Sequence, residues 1–187
     1  MLTAALYSLG AGAFVFLLPV FATQQLDATA LELGWLWSSL GIGMLAASVW
    51  LARINQGDFQ HRLRLISAAL AVGAVAVCTL GMLQAPVMAA ALIIVFGGST
   101  AVFTPIVWAM LQELTPAPLL GRVFTTFSTG AMAAAMAGMA GFGWLADAIG
   151  PATSLVGIGI LLLGTAAVAA LFSRRQPDKT AHELLAA

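Results

Sequence analysis

Charged side chains are scarce in this sequence, and their scarcity defines the class of protein. Of 187 residues only 7% are Asp, Glu, Lys or Arg, whereas 61% are hydrophobic and the mean hydropathy is +1.03. A soluble domain of this composition would have too few polar side chains to cover its surface. The formal net charge is zero, and no loop carries a nucleic-acid-binding motif. We therefore predict an integral membrane protein without a nucleic-acid partner.

The residue types that catalysis and metal binding require are nearly missing from the apolar runs. Cys78 is the only cysteine, so it can form neither an intrachain disulfide nor a metal site. The two histidines, His61 and His182, fall in a loop and in the C-terminal tail, and no acid lies at mid-depth in an apolar run. A Ser/His dyad or a pair of catalytic aspartates within the membrane is therefore excluded. We predict that the protein is not an enzyme and has neither a cofactor nor a metal site.

The apolar runs predict six transmembrane helices. Each crossing needs about 20 apolar residues, and the long run from 65 to 112 is interrupted at Pro86, because proline lacks the amide hydrogen that a helix interior uses. Strands would need alternating apolar and polar positions, which these runs lack. The expected transmembrane domain covers 1–173, with spans at about 2–25, 33–53, 65–83, 87–112, 123–146 and 151–173, and a tail follows at 174–187.

Every Lys and Arg falls on one side of this six-crossing path. Arg53, Arg62 and Arg64 lie in the loop between the second and third spans, Arg122 lies between the fourth and fifth, and the remaining three basic residues follow the sixth. Short basic loops remain in the cytoplasm during membrane insertion. We therefore expect a multi-pass protein of the plasma (inner) membrane with both termini in the cytoplasm.

The most specific residue patterns lie between residues 103 and 147. TPxxLxGRVF occupies the junction of the fourth and fifth spans, and GxLADxxG closes the fifth. With these patterns the chain resembles the C-terminal six-helix half of a major facilitator superfamily transporter, and within that superfamily the drug and macrolide exporters. The resemblance implies a 3+3 inverted repeat whose first and fourth helices line a central cavity. Pro19 and Pro105 interrupt those two helices at corresponding places, as such a repeat would show.

The resemblance also implies a function. The chain would be half of a secondary active transporter that exports amphipathic small molecules or drugs by alternating access, in contact with the lipid bilayer and a small-molecule substrate. Proton-coupled carriers usually hold a titrating acid within the membrane, so that acid is expected in an N-terminal six-helix half. A second copy of this chain could replace that half. The alternative is a non-transporting assembly or regulatory subunit that retains the half-fold.

Candidate substrate-path residues lie on the first and fourth helices. Thr100, Thr104 and Trp108 recur every fourth residue and so share one face. The threonine hydroxyls either bond the carbonyl groups near Pro105 or meet a passing substrate, and the sequence leaves both roles open. On the first helix the candidates are Tyr7 and Phe14, two turns apart on one face.

The fifth helix has two faces of different composition. Surfaces rich in methionine accommodate varied apolar ligands, so we expect the Thr and Met face to line the substrate cavity; the alternative is that it faces lipid. Small residues let neighbouring backbones approach closely, so the Gly and Ala face is expected to pack on another helix. The first face comprises Thr125, Thr129, Met132, Met136 and Met139, and the second comprises Gly130, Ala134, Ala137, Gly138 and Gly141.

Five residues are candidates for hinges or gates. Pro19 and Pro105 would bend their helices, and Gly121 belongs to the loop motif at the start of the fifth helix. Glu113 and Arg122 stand at facing helix ends, where they could pair while the cytoplasmic side is closed and separate when it opens. An exposed pair contributes only about 0–1 kcal/mol, so its expected effect is on the balance of states.

Overall fold

Six long helices make up the part of the chain that the computed structural model describes, residues 2–54, 57, 59–83 and 85–175. A single 3-10 turn, Ala117–Leu119, precedes the fifth helix, and each long helix is long and apolar enough to cross a membrane. The predicted all-α membrane fold is therefore confirmed. The helices are α1 (Leu2–Gln25), α2 (Ala30–Arg53), α3 (Phe59–Leu80), α4 (Pro86–Leu114), α5 (Leu120–Ile149) and α6 (Pro151–Arg175).

Several helices extend beyond the apolar runs that predicted them. α3 begins at Phe59, so His61, Arg62 and Arg64 lie on its first two turns and not in a loop, which corrects the prediction. A helix can carry charges there because its first turns reach the membrane surface. α2 begins early because Thr29 caps it, its hydroxyl accepting from the Glu32 amide while the Glu32 carboxylate accepts from the Thr29 amide. The tail from 176 to 187 lies outside the described residues.

The packing of the helices has the symmetry of an inverted repeat. α3 packs on α6, α2 packs on α4, and α1 packs on α5; α3 also contacts α4, and α1 contacts α6. When α1, α2 and α3 are exchanged with α4, α5 and α6, each of these five pairs maps onto another of them or onto itself. The smaller contact of α5 with α6 is the exception, since α2 and α3 have no equivalent contact of that extent. The pairing of the five symmetric contacts is the arrangement expected of a 3+3 half, in agreement with the predicted fold class.

Glycines allow α2 and α4 to cross at backbone contact. A Cβ atom on Gly43 would collide with the carbonyl oxygen of Ile94, and one on Gly97 would collide with the carbonyl oxygen of Leu40. Lipid provides no hydrophobic drive for helices to associate, so close backbone packing has to hold them together. Substitutions at either glycine would push the two helices apart.

The repeat-related crossing of α1 and α5 is built in the same way. A Cβ atom on Gly138 would collide with the carbonyl oxygen of Leu9, and one on Gly12 would lie 2.8 Å from the Cβ atom of Ala135. Two glycine pairs thus occupy equivalent places in the two halves of the repeat. They fix α2 and α5 on the outside of the bundle.

The core lies between α1, α3, α4 and α6, and it leaves α2 and α5 largely open. Gly138 is the only buried residue of α5, and four residues of α2 are buried, whereas α1 buries ten. The repeat relates α2 to α5, so the two helices present equivalent uncovered faces. Both faces are available to lipid or to another protein.

Candidate functional site

The Thr and Met face of α5 lies on the open side of the helix. Thr125 and Thr129 are exposed, and 70% of Met132 and 65% of Met136 is accessible, while Met139 is half-buried. The face is open because α5 contacts α1 through another side, which includes Gly138. The candidate site on this face therefore consists of the hydroxyl groups of Thr125 and Thr129, followed about one turn further along α5 by the thioethers of Met132 and Met136.

Hydroxyl groups are concentrated at the start of this face. Thr125, Thr126, Ser128 and Thr129 are all exposed, and only Phe127 among residues 125–129 turns inward. The Thr125 hydroxyl donates to the carbonyl of Gly121 at 2.8 Å, which leaves its oxygen able to accept a hydrogen bond. Such a cluster can accept hydrogen bonds from the polar end of an amphipathic molecule.

The small-residue face predicted for packing is only partly correct. Gly138 packs against α1 and Ala134 is half-buried, but Gly130, Ala137 and Gly141 are exposed. A Cβ atom on Gly130 or Gly141 would meet nothing within 4 Å. Bulky rings, which gain most from burial, set the contacting face. Its members recur at helical spacing: Phe127, Ala131, Ala135, Gly138 and Phe142.

Tyr7 and Phe103 connect the first and fourth helices near Pro105. The Tyr7 ring lies 3.9 Å from that of Phe103, centroid to centroid, and both side chains are buried, whereas the neighbouring Thr104 is exposed. Thr100 donates its hydroxyl to the carbonyl of Gly97 at 2.7 Å. Thr100 thus has the helix-bonding role, whereas the role of Thr104 on the substrate path stays a prediction.

The remaining aromatic candidates differ in position. The Trp108 ring lies 4.8 Å from that of Phe124 and 5.4 Å from that of Phe127, which forms an aromatic cluster between α4 and α5. Phe14 is fully buried with its ring 4.2 Å from that of Phe96, inside the bundle rather than on an open face. Trp108 therefore borders the α5 site, and Phe14 is a core residue in this conformation.

The two interior prolines lie in continuous helices. α1 and α4 run through Pro19 and Pro105 without ending. Thr23 donates its hydroxyl to the carbonyl of Pro19 at 3.0 Å, whereas the carbonyl that loses its amide partner to the proline is that of Val15, one turn earlier. Gly121 is exposed with open space around the place of a Cβ atom, so no close packing there requires glycine. The proposed hinge roles of these three residues stay predictions.

The ion pair at the end of α4 involves a different arginine from the expected one. Glu113 accepts from Nη1 of Arg62 through both carboxylate oxygens, at 2.7 and 2.8 Å, whereas Arg122 is exposed at the start of α5. α3 packs along α4, which brings the first turns of α3 to the last turn of α4. An acid at a helix C-terminus is unfavourable, and Arg62 offsets that cost. In this conformation Glu113 pairs with Arg62 and not with Arg122; the pairing of Glu113 with Arg122 in a closed state stays a prediction.

The helix packing indicates a transporter fold, and a comparison with known protein families identifies the family of the chain. Within the described ranges, no three His, Cys, Asp or Glu side chains are grouped to bind a metal ion. A six-helix membrane bundle with an inverted repeat and an open polar face is the architecture of half a membrane transporter. The family model for the Major Facilitator Superfamily matches residues 1–186, and the chain therefore belongs to that superfamily. Its members are generally transporters rather than enzymes. No curated protein matches the chain at a significant level.

Proposed function

We propose that the chain is the C-terminal half of a secondary active exporter for amphipathic small molecules, related to the drug and macrolide exporters. The observation that carries this proposal is the open face of α5, where exposed hydroxyls precede Met132 and Met136. Threonine gains little from contact with lipid, and flexible thioethers adapt to varied apolar surfaces. Together they suit molecules with one polar and one apolar end.

A second half would complete the cavity. α2 and α5 occupy equivalent places in the repeat and are both open, so a partner with the same architecture can cover both at once. That partner is an N-terminal six-helix half or, failing that, a second copy of this chain. The titrating acid of proton-driven export belongs to the partner half, since the described helices carry no acid at mid-depth.

Alternating access requires elements that change their packing. We assign the bending to Pro19 and Pro105. The link that has to loosen is the ring contact of Tyr7 with Phe103, which joins α1 and α4 near Pro105. Gly121 and Arg122 lie on the first turn of α5 and can follow that movement. The basic residues at one end of the bundle favour cytoplasmic termini in the inner membrane.

Efflux measurements test the proposal. Inside-out vesicles that contain the chain and a complementary six-helix half should accumulate a lipophilic dye when a proton gradient is imposed. Replacing Met132, Met136 and Met139 with Leu nearly conserves volume, so folding should persist while the range of exported dyes changes. Met88→Leu, at the exposed outer start of α4, is the matched control and should change nothing.

Two outcomes contradict the proposal. An unchanged range of substrates in the triple Met variant would place the α5 face against lipid. A stable complex with the second half that never moves any dye would favour the alternative, a non-transporting assembly or regulatory subunit.

A further inference from the structure

A groove runs along the outside of the bundle between α2 and α3, and α4 forms its floor. α2 and α3 each pack on α4 but scarcely touch each other, which leaves a gap between them. In the other half of the repeat α5 contacts α6, where the ring of Phe142 lies against Gly157, so the equivalent gap is narrower. The α2–α3 groove is therefore a place where the two halves of the repeat differ.

The groove is long enough to hold a hydrocarbon chain. Its first part has a volume of about 310 Å³, and Trp50 and Leu65 lie nearest to the basic end of the bundle. A second part continues it along α3 and α4, and Val72 and Val95 line both parts. On α3 the lining runs from Leu65 to Thr79, which is roughly 21 Å at 1.5 Å per residue. Half of the hydrocarbon core of a bilayer is about 15 Å thick, so a chain from one leaflet can lie in the groove over its whole length.

The lining of the groove suits hydrocarbon rather than a polar ligand. Its two hydroxyl groups are bonded within their own helices: Ser99 donates to the carbonyl of Phe96 at 2.7 Å, and Thr79 donates to the carbonyl of Val75 at 2.8 Å. The groove is open on its outer side, where 54% of Val72 is exposed. An unfilled gap would forfeit the dispersion contacts of its lining, and at this depth of a membrane the surrounding medium is hydrocarbon.

Two exposed arginines flank the basic end of the groove. Arg53 lies on α2 one turn beyond the last lining residue of that helix, and Arg64 directly precedes the lining residue Leu65 on α3. The head group of a lipid lies at the membrane surface, one step beyond the apolar lining, when its chain is in the hydrocarbon. Among the described residues, Glu113 is the acid at this end, and it binds Arg62. Positive charge therefore prevails at this end of the described chain.

We propose that the α2–α3 groove binds an anionic phospholipid, with one acyl chain in the groove and the phosphate between Arg53 and Arg64. Basic sites between transmembrane helices recognise anionic head groups, and arginine forms charge-assisted hydrogen bonds with phosphate. The second acyl chain remains in the bilayer. Leu45 and Val49, on the open face of α2, do not line the groove. The inference therefore does not depend on the proposed transport function or on a second half.

Photolabelling tests the proposal. The full chain is purified in a nonionic detergent and mixed with a phosphatidylglycerol that carries a diazirine on one acyl chain. We expect saturable labelling within the ranges that line the groove, 47–50, 65–79 and 92–102. One arginine near an anionic head group contributes about fivefold in affinity, so unlabelled phosphatidylglycerol should compete about 25-fold better than phosphatidylcholine. Label spread evenly over all the helices, or equal competition by the two lipids, would overturn the proposal.

A bulky side chain tests the place of the acyl chain. Ala68→Trp fills the groove and should abolish the labelling, whereas Leu45→Trp, at a similar distance from the basic end on the open face of α2, should not. Ala68 is exposed, so the new ring does not enter the core. Unchanged labelling in Ala68→Trp would contradict the assignment of the chain to the groove.

Neutral substitutions test the head-group site. Arg53→Gln combined with Arg64→Gln leaves the lining intact and should remove the preference for phosphatidylglycerol over phosphatidylcholine. Arg122→Gln, at the start of α5 and at the same end of the bundle, is the matched control and should keep that preference. These variants decide the head-group assignment even if Ala68→Trp does not fold. A preference that survives in the double variant, or that Arg122→Gln lowers to the same extent, would exclude the assigned site.

Discussion

Adding one methyl group at the α1–α5 crossing should destabilise the bundle. In Gly138→Ala the new Cβ atom would meet the carbonyl oxygen of Leu9, a backbone atom that no side-chain rotation can move aside. Overpacking of this kind costs about 1–3 kcal/mol, and the better helix propensity of alanine returns at most about 1 kcal/mol. Because the contacted atom belongs to the backbone, the upper part of this range applies, and the net expectation is a loss of about 1–3 kcal/mol. Gly138→Leu should be more severe and reduce the amount of protein in the membrane.

A matched glycine on the same helix isolates the packing effect. Gly141→Ala gains the same helix propensity, but its Cβ atom meets nothing within 4 Å, so its stability should be unchanged or slightly higher. The assay is the midpoint of thermal unfolding of the purified chain in detergent, followed by loss of the monodisperse gel-filtration peak. Gly43→Ala should behave like Gly138→Ala, because it lies at the equivalent crossing. Equal midpoints for Gly138→Ala and Gly141→Ala would refute the reasoning that backbone contact holds α5 on α1.

Three further predictions follow from individual contacts. Reversing the charge at Arg62 or at Glu113 alone should lower the unfolding midpoint. The loss should be equivalent to only about 1 kcal/mol, because 58% of the Glu113 side chain is exposed and water screens the pair. Reversing both charges together should restore the midpoint, and a double variant no more stable than the single ones would contradict the pairing. Tyr7→Leu should lose the ring contact with Phe103, which contributes about 0.5–1.5 kcal/mol beyond the burial of the rings. Tyr7→Leu and Phe103→Leu together should therefore cost less than the sum of the two single variants; fully additive losses would argue against the contact. In a Cys78→Ala background, Met82→Cys should react with an impermeant thiol reagent added outside intact cells and Ala117→Cys should not; the reverse pattern would overturn the expected orientation.

The six helices were predictable for two reasons. The thickness of the bilayer sets the length of each helix, and each apolar run ends at charged residues or at a proline. Their ends were less predictable, as α3 shows. Its first turns carry His61, Arg62 and Arg64, which an apolar-run criterion assigns to a loop. The helix continues through them because backbone hydrogen bonds form regardless of side-chain polarity at the membrane surface.

For α5, the sequence predicted the two faces of the helix but not which residues a neighbouring helix covers. A face made of Gly and Ala packs closely only if a neighbouring helix is placed against it. The partly buried rings of α5, Phe127 and Phe142, lie beside Trp108 of α4 and Gly157 of α6. The period of the pattern correctly separated Met132 and Met136 from Gly138, but it could not show that Gly130 and Gly141 are uncovered. Bulky residues at the ends of the small-residue stretch were the available signal.

The partner of Glu113 could not be predicted from proximity along the chain. Arg122 is nine positions away, whereas Arg62 is 51 positions away and becomes adjacent only because α3 packs along α4. The inverted repeat implies that contact between the third and fourth helices, but not which side chains meet there. Long-range polar pairs of this kind require the tertiary structure.

The most direct test of the proposed substrate surface is the environment of Met132 and Met136 in the assembled transporter. Spin labels at these positions, in the chain joined by its second half, report collisions with water-soluble nickel complexes and with lipid-soluble oxygen. A label at Ile160, an exposed position of α6, provides the lipid-facing reference. We predict that the α5 labels are reached by the water-soluble reagent and become protected when a transported dye is added. Labels on α5 that behave like the Ile160 label, with or without dye, would contradict the assignment of this face to the substrate path.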